Sequence, residues 1–92
     1  MKMKFSEVFW EDSFLKTLKK IYKKNPQFET DFRLFFSEFF KDPNNKKYRV
    51  HKLQGKLKGY FSAKMKFDLR LVFAVEKDKL FLIDIGKHDD VY

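Results

Sequence analysis

Between Asp12 and Lys24 the apolar residues Phe14, Leu18 and Ile21 recur at i, i+4 and i+7, and Leu15 and Tyr22 widen the stripe. That spacing predicts an amphipathic helix. Lys16, Lys19, Lys20, Lys23 and Lys24 take the other face and crowd the C-terminal end, where positive charge suits the helix dipole. Asn25-Pro26 is read as the stop of this helix and the start of the next, since Asn is a good N-cap and Pro fits the first helical position. The second helix, 26–41, carries Phe28, Phe32, Phe35 and Phe39 in one stripe, broadened by Phe36 and Phe40, and ends at Asp42-Pro43-Asn44-Asn45. Two helices joined by so short a break predict an antiparallel hairpin. The phenylalanine stripe is read as core, because the sheet that follows must be covered on one face.

Elsewhere the period is that of strands. Residues 2–10 predict a short opening strand. Tyr48-Arg49-Val50 leads in extended form to His51-Lys52-Leu53-Gln54-Gly55. From Lys58 to Phe67 the chain alternates, with Gly59, Phe61, Ala63, Met65 and Phe67 on one face and Lys58, Tyr60, Ser62, Lys64 and Lys66 on the other. Asp68 marks a tight turn, Leu69 to Glu76 forms the next strand, and Leu80 to Ile85 the last, broken by Gly86. The expected architecture is α+β: an N-terminal strand and a helical hairpin packed on one face of an antiparallel sheet. The opposite face is expected to be basic, aromatic at Tyr60 and free of a second layer.

Ninety-two residues make one domain, 1–92. The chain has no cysteine, which excludes disulfides, thiolate zinc sites and cysteine nucleophiles. Its three glycines match neither phosphate-loop nor dinucleotide spacing. No apolar run approaches a membrane span, and Glu7, Glu11 and Asp12 interrupt what would otherwise resemble a signal peptide, so a cytoplasmic protein is expected. The net charge is +8, and its placement changes the picture. Residues 41–66 hold nine basic side chains against the single acid Asp42, while the remaining 66 residues carry 12 of each sign. A field of one sign concentrated in one stretch attracts polyanions, nucleic acid foremost. A lysine-rich face kept for solubility is the alternative.

Four groups stand out as candidate chemistry: His51, His88, Arg70 and Tyr92. Histidine titrates near neutral pH and is the commonest general acid or base. Arg70, in a largely apolar strand, is expected to turn its guanidinium to the open face, where it suits a phosphate. Each also has a plain structural reading, as a surface histidine or a strand salt-bridge partner. His88 with Asp89-Asp90 is too poor a donor set to argue for a metal.

Three segments together carry a resemblance. They are Tyr48-Arg49-Val50-His51-Lys52-Leu53-Gln54-Gly55-Lys56-Leu57-Lys58-Gly59-Tyr60, then Asp68-Leu69-Arg70-Leu71-Val72-Phe73, then Ile83 to Tyr92 with its terminal His-x-x-x-aromatic. In this order and at these separations they resemble the RelE/ParE toxin superfamily, in particular its YafQ-like branch of type II toxin–antitoxin ribonucleases. The resemblance covers the whole chain. It implies a RelE-like fold, cleavage of mRNA in the ribosomal (30S) A site without a cofactor, and inactivation by a cognate antitoxin, with operator DNA reached only through the antitoxin complex. It places the catalytic set on His51, Asp68, His88 and Tyr92. A further histidine of that set aligns with Lys64, a departure, and Arg70 matches the strand arginine of RelE and YoeB toxins.

The chemistry is consistent with this. Metal-independent RNA cleavage needs a base for the 2′-hydroxyl proton, cations for the pentacoordinate phosphate and an acid for the 5′-oxygen. His88 is assigned as principal acid or base, His51 as the second proton-transfer group, Lys64 and Arg70 as phosphate stabilisers, and Tyr92 as a stacking or hydrogen-bonding group. Lys52, Lys56, Lys58, Lys66 and Tyr60 are the expected RNA contacts. A ParE-like gyrase poison and a non-catalytic RNA-binding module are the rival readings.

Overall fold

The computed structural model describes residues 2–66 and 68–87. Its elements are β1 (Glu7–Trp10), α1 (Asp12–Lys24), α2 (Phe28–Lys41), β2 (His51–Lys52), β3 (Phe61–Lys64), β4 (Leu69–Glu76) and β5 (Lys79–Lys87), with single 3-10 turns at Lys46–Tyr48 and Gly55–Leu57. The five strands form one sheet in the order β1-β5-β4-β3-β2.

The hydrophobic stripes do what their spacing requires. Phe14 and Leu18 of α1 and Phe28, Phe32 and Phe39 of α2 are buried against Leu71 and Phe73 of β4 and Leu80, Leu82 and Ile85 of β5. Phe35, Phe36 and Phe40 are half-buried and pack against that core, so most of the stripe is core. Phe39 sits at its centre, within 5.4 Å of the Phe73 ring and 5.2 Å of the Tyr48 ring, centroid to centroid. The hydroxyl of Ser13 donates to the Ile83 carbonyl at 3.2 Å and ties the start of α1 to β5.

Several boundaries differ from expectation. The second helix begins at Phe28 rather than Pro26, and Asn25 does not cap it with its side chain: the Asn25 carbonyl instead accepts from the Phe28 amide at 2.9 Å, closing a turn. Only the last four residues of the expected opening strand pair. The stretch before them is extended but held by other means: the Asn44 side chain accepts from the Met3 amide and donates to the Met3 carbonyl, both at 2.7 Å. The sheet is mixed, because β1 runs parallel to β5 while every other pairing is antiparallel. Alternation of polar and apolar residues does not encode direction, and a pair so far apart in sequence can close either way.

Gly86 does not break the last strand. It is buried within β5, paired with Arg70, and the strand continues to Lys87. A register shift opposite Val72 and Phe73 leaves Ile83 as an extra residue, since Val72 faces Asp84 and Phe73 faces Leu82. Such a bulge reverses the phase of the strand. It lets Leu80, Leu82 and Ile85 all face the helices although their numbers do not share a parity.

The expected strand over 58–67 is cut to Phe61–Lys64, and Phe67 lies outside the described residues. Gly55 and Gly59 take positive φ angles of 68° and 98°, which commits the preceding residues to a loop around the 3-10 turn. Within β3 the alternation holds: Ala63 and Met65 join the core, and Ser62 and Lys64 point the other way. That other face is not bare. Ser62 and its neighbour Val72 are 0% and 1% exposed, so the expectation of a wholly uncovered face is corrected.

Candidate active site

On the face away from the helices, one row of the sheet aligns Lys64 of β3 with Arg70 of β4 and Gly86 of β5. In the adjacent row His51 of β2 stands beside Ser62. The short β2 thus brings a histidine from one edge toward two cations in the sheet interior. A cavity of about 260 Å³ lies between them, lined by Arg49, His51, Lys64 and Arg70. Gly86 adds no side chain to the row that Arg70 occupies.

Each member is held differently. Arg70 and Lys64 are half-buried, whereas Arg49 and His51 are exposed. The Arg70 guanidinium donates through Nη1 to the Leu69 carbonyl at 3.4 Å. The His51 ring approaches the Arg49 carbonyl through Nδ1 at 3.0 Å. Arg49 itself has φ 46° and ψ 46°, the left-handed region, which costs a non-glycine residue roughly 1–2 kcal/mol. The segment before it absorbs that strain. Asn45 caps the turn by accepting from the Lys47 amide at 3.0 Å, and Tyr48 is buried edge-on against Phe35 and Phe39. Burial pushes the Tyr48 phenol above its ordinary pKa, so it remains a neutral anchor. The hydrogen bond from Lys47 to Glu38 raises the Lys47 ammonium pKa, which keeps that charge paired outside the cavity.

The electrostatics point one way. Among the described residues the ion pairs are Arg33–Glu29 and Lys47–Glu38, and neither touches the cavity. No carboxylate is among the four described residues that line it. Among the described residues, three basic side chains and a histidine line one small space, an arrangement complementary to an anion.

Of the residues assigned from sequence, the fold brings together His51, Lys64 and Arg70 and adds Arg49. Asp68 is exposed in the β3–β4 turn with φ 61° and does not line the cavity. Lys52, Lys56 and Lys58 are exposed along the connection from β2 to β3, and half-buried Tyr60 stands just before β3. Lys66 belongs to the turn rather than to a strand, and lines a neighbouring groove of about 410 Å³ with Leu34, Phe35 and Tyr48, a groove that shares Lys64 with the cavity. His88, Asp89, Asp90 and Tyr92 lie outside the described residues. Arg49 was missed as a site residue. No alternation pattern marks it, because Arg49 takes a left-handed backbone rather than an extended one.

Two helices on one face of a mixed five-stranded sheet, with a cationic cavity on the other, make the α+β architecture of the RelE-like kind. The family profile described as a bacterial toxin of type II toxin-antitoxin system, YafQ, matches residues 6–92, and the chain belongs to that family. Solved structures agree in fold. YafQ from E. coli superposes with a TM-score of 0.76 at 20% identity, covering 92% of this chain and 96% of that one. In the E. coli DinJ-YafQ complex the match has a TM-score of 0.67 at 22% identity, over 92% and 96%. A metal-bound toxin from Helicobacter pylori gives 0.70 at 26% identity, over 96% and 99%. A YoeB/ParE toxin from Agrobacterium tumefaciens gives 0.70 at 16% identity, over 90% and 99%. No curated protein matches the sequence significantly. Among the described residues no helix is long and apolar enough to cross a membrane.

Proposed function

We propose that this toxin is a metal-independent endoribonuclease that cleaves mRNA, acting on the ribosome at the A site. The observation that carries the reading is the convergence of His51, Lys64 and Arg70, far apart in sequence, on one cavity with no described carboxylate in its wall. A phosphodiester is the anion such a wall fits. Arg70 and Lys64 hold the phosphate and offset the charge that grows on it. One histidine removes the 2′-hydroxyl proton as O2′ bonds to phosphorus. The P–O5′ bond breaks, and a second group returns a proton to O5′. His88 is proposed as the principal proton-transfer residue and His51 as its partner, with Asp68 and Tyr92 completing the set. The product is a 2′,3′-cyclic phosphate or the 3′-phosphate derived from it.

A cognate antitoxin is the proposed partner. Support comes from the family and from the matching E. coli YafQ, solved in complex with DinJ. An acidic segment that folds on binding suits a +8 surface. The proposed setting is the cytoplasm, where mRNA and ribosomes are.

Primer-extension mapping of mRNA after induced expression tests this. Discrete in-frame cuts are expected. Intact mRNA with DNA breaks points to a gyrase poison instead, and intact mRNA without breaks to an RNA-binding protein without catalysis. Either result overturns the proposal.

A further inference from the structure

We infer that Arg49 is a further residue of the site, its guanidinium contacting the substrate phosphate while its backbone carbonyl fixes the tautomer of His51. The inference rests on the proposed ribonuclease reading. A carbonyl oxygen can only accept, so the 3.0 Å contact between the Arg49 carbonyl and His51 Nδ1 requires that Nδ1 carry the hydrogen. A neutral imidazole has one N–H, and the lone pair then resides on Nε2. Nδ1 is turned back on its own segment, and His51 lines the cavity shared with Lys64 and Arg70, so Nε2 is the nitrogen left for substrate. His51 is thereby set up to take a proton.

The backbone of Arg49 produces this arrangement. The anchored Tyr48 and the bond from the Arg49 amide to the Lys46 carbonyl at 3.1 Å hold one side of the residue. The left-handed step at φ 46° then turns the chain into β2. Glycine would satisfy that backbone more easily. The residue found there is instead an exposed arginine, which is among the residues lining the cavity and has no ion-pair partner among the described residues. Arginine presents two parallel N–H groups to a phosphate, which lysine cannot reproduce.

Arg49→Gly separates the two roles, because it keeps the left-handed backbone and removes the guanidinium. Single-turnover cleavage of ribosome-bound mRNA by this variant is expected to be slower by about 10²-fold. The log–log salt dependence of RNA binding should fall by about 0.7. The pH profile of cleavage should keep its shape. Arg49→Lys should restore the salt slope but only part of the rate. The carbonyl role is read without activity, from long-range nitrogen–proton NMR spectra of the His51 ring at high pH: the Nδ1–H tautomer is expected in the parent and in Arg49→Gly. Parental cleavage and salt slope in a folded Arg49→Gly protein overturn the phosphate contact, and an Nε2–H tautomer overturns the carbonyl role. A parent protein that binds ribosomes but cuts nothing removes the ribonuclease reading itself, and the phosphate role with it.

Discussion

The two faces of the sheet are built from the same strands by opposite rules. Toward the helices, β3, β4 and β5 present Ala63, Leu71, Phe73, Leu80, Leu82 and Ile85, all of them at most 1% exposed. This face is satisfied by packing alone, and aromatic rings fill it from both helices. Away from the helices, alternate residues of the same strands present Lys64 and Arg70, whose charges have no described partner. One face is completed by packing, while the other carries charges without an ion-pair partner among the described residues. An arrangement that repels itself is retained where a ligand completes it, and the penalty is carried by the stability of the opposite face.

That contrast can be broken from either side. The largest effect is expected from Phe39→Ala, which removes a fully buried ring packed on Phe5, Phe35, Tyr48 and Phe73. It should lower stability by about 3–5 kcal/mol in denaturant unfolding. Because Tyr48 anchors the approach to Arg49 and His51, whatever protein remains folded should also cleave poorly. On the other face, Arg70→Ala should lose about 10²–10⁴ in single-turnover cleavage, and His88→Ala, outside the described residues, should lose as much. Arg70→Ala should leave the melting temperature unchanged or raise it, since it relieves repulsion among the cavity cations. A marked loss of stability in Arg70→Ala would show that Arg70 belongs to the framework and not to the site.

Replacing Lys52, Lys56, Lys58 and Lys66 together by alanine should leave cleavage chemistry intact once substrate is saturating. It should flatten the salt dependence of RNA binding by about 0.7 for each phosphate no longer neutralised. Lys66 is the informative member, because it lines a groove on the helix side. If the triple variant that spares Lys66 has the same slope as the quadruple one, Lys66 is not part of the footprint.

The smallest effect concerns the edge of the sheet. The Ser6 hydroxyl donates to the Asp78 carboxylate and holds its pKa below the ordinary value. A carboxyl whose pKa falls on folding adds stability above its unfolded pKa of about 3.9 and loses it as pH drops through the folded value. Ser6→Ala should therefore lower the melting temperature slightly at pH 7, and the difference should vanish at the acid end of the titration.

The helices were legible because their signal is local. Phe14, Leu18 and Ile21 fix the face of α1 whatever surrounds it, and the limits of α1 at Asp12 and Lys24 coincide with the expected ones. The faces of the strands were legible for the same reason. The direction of β1, the bulge at Ile83 and the persistence of β5 through Gly86 were not, since each is decided by a strand distant in sequence. The site divides the same way. His51, Lys64 and Arg70 could be chosen by residue type and resemblance. That Lys66 departs from its neighbours, and that Arg49 joins them, depends on a turn and on a left-handed residue that no alternation pattern records.

The parallel pairing of β1 with β5 also has a consequence in time. Residues 7–10 are synthesised well before their hydrogen-bonding partners, residues 79–82. Val8 and Trp10 thus wait, half-made, for a strand 72 residues further along the chain. Arg70 depends on the same late arrival, because β4 is flanked on one side by β5. Pairings of such long sequence separation form last and slowly. The helices can therefore form before β5 is available, whereas the row of Lys64, Arg70 and Gly86 is complete only once β5 has paired with β4.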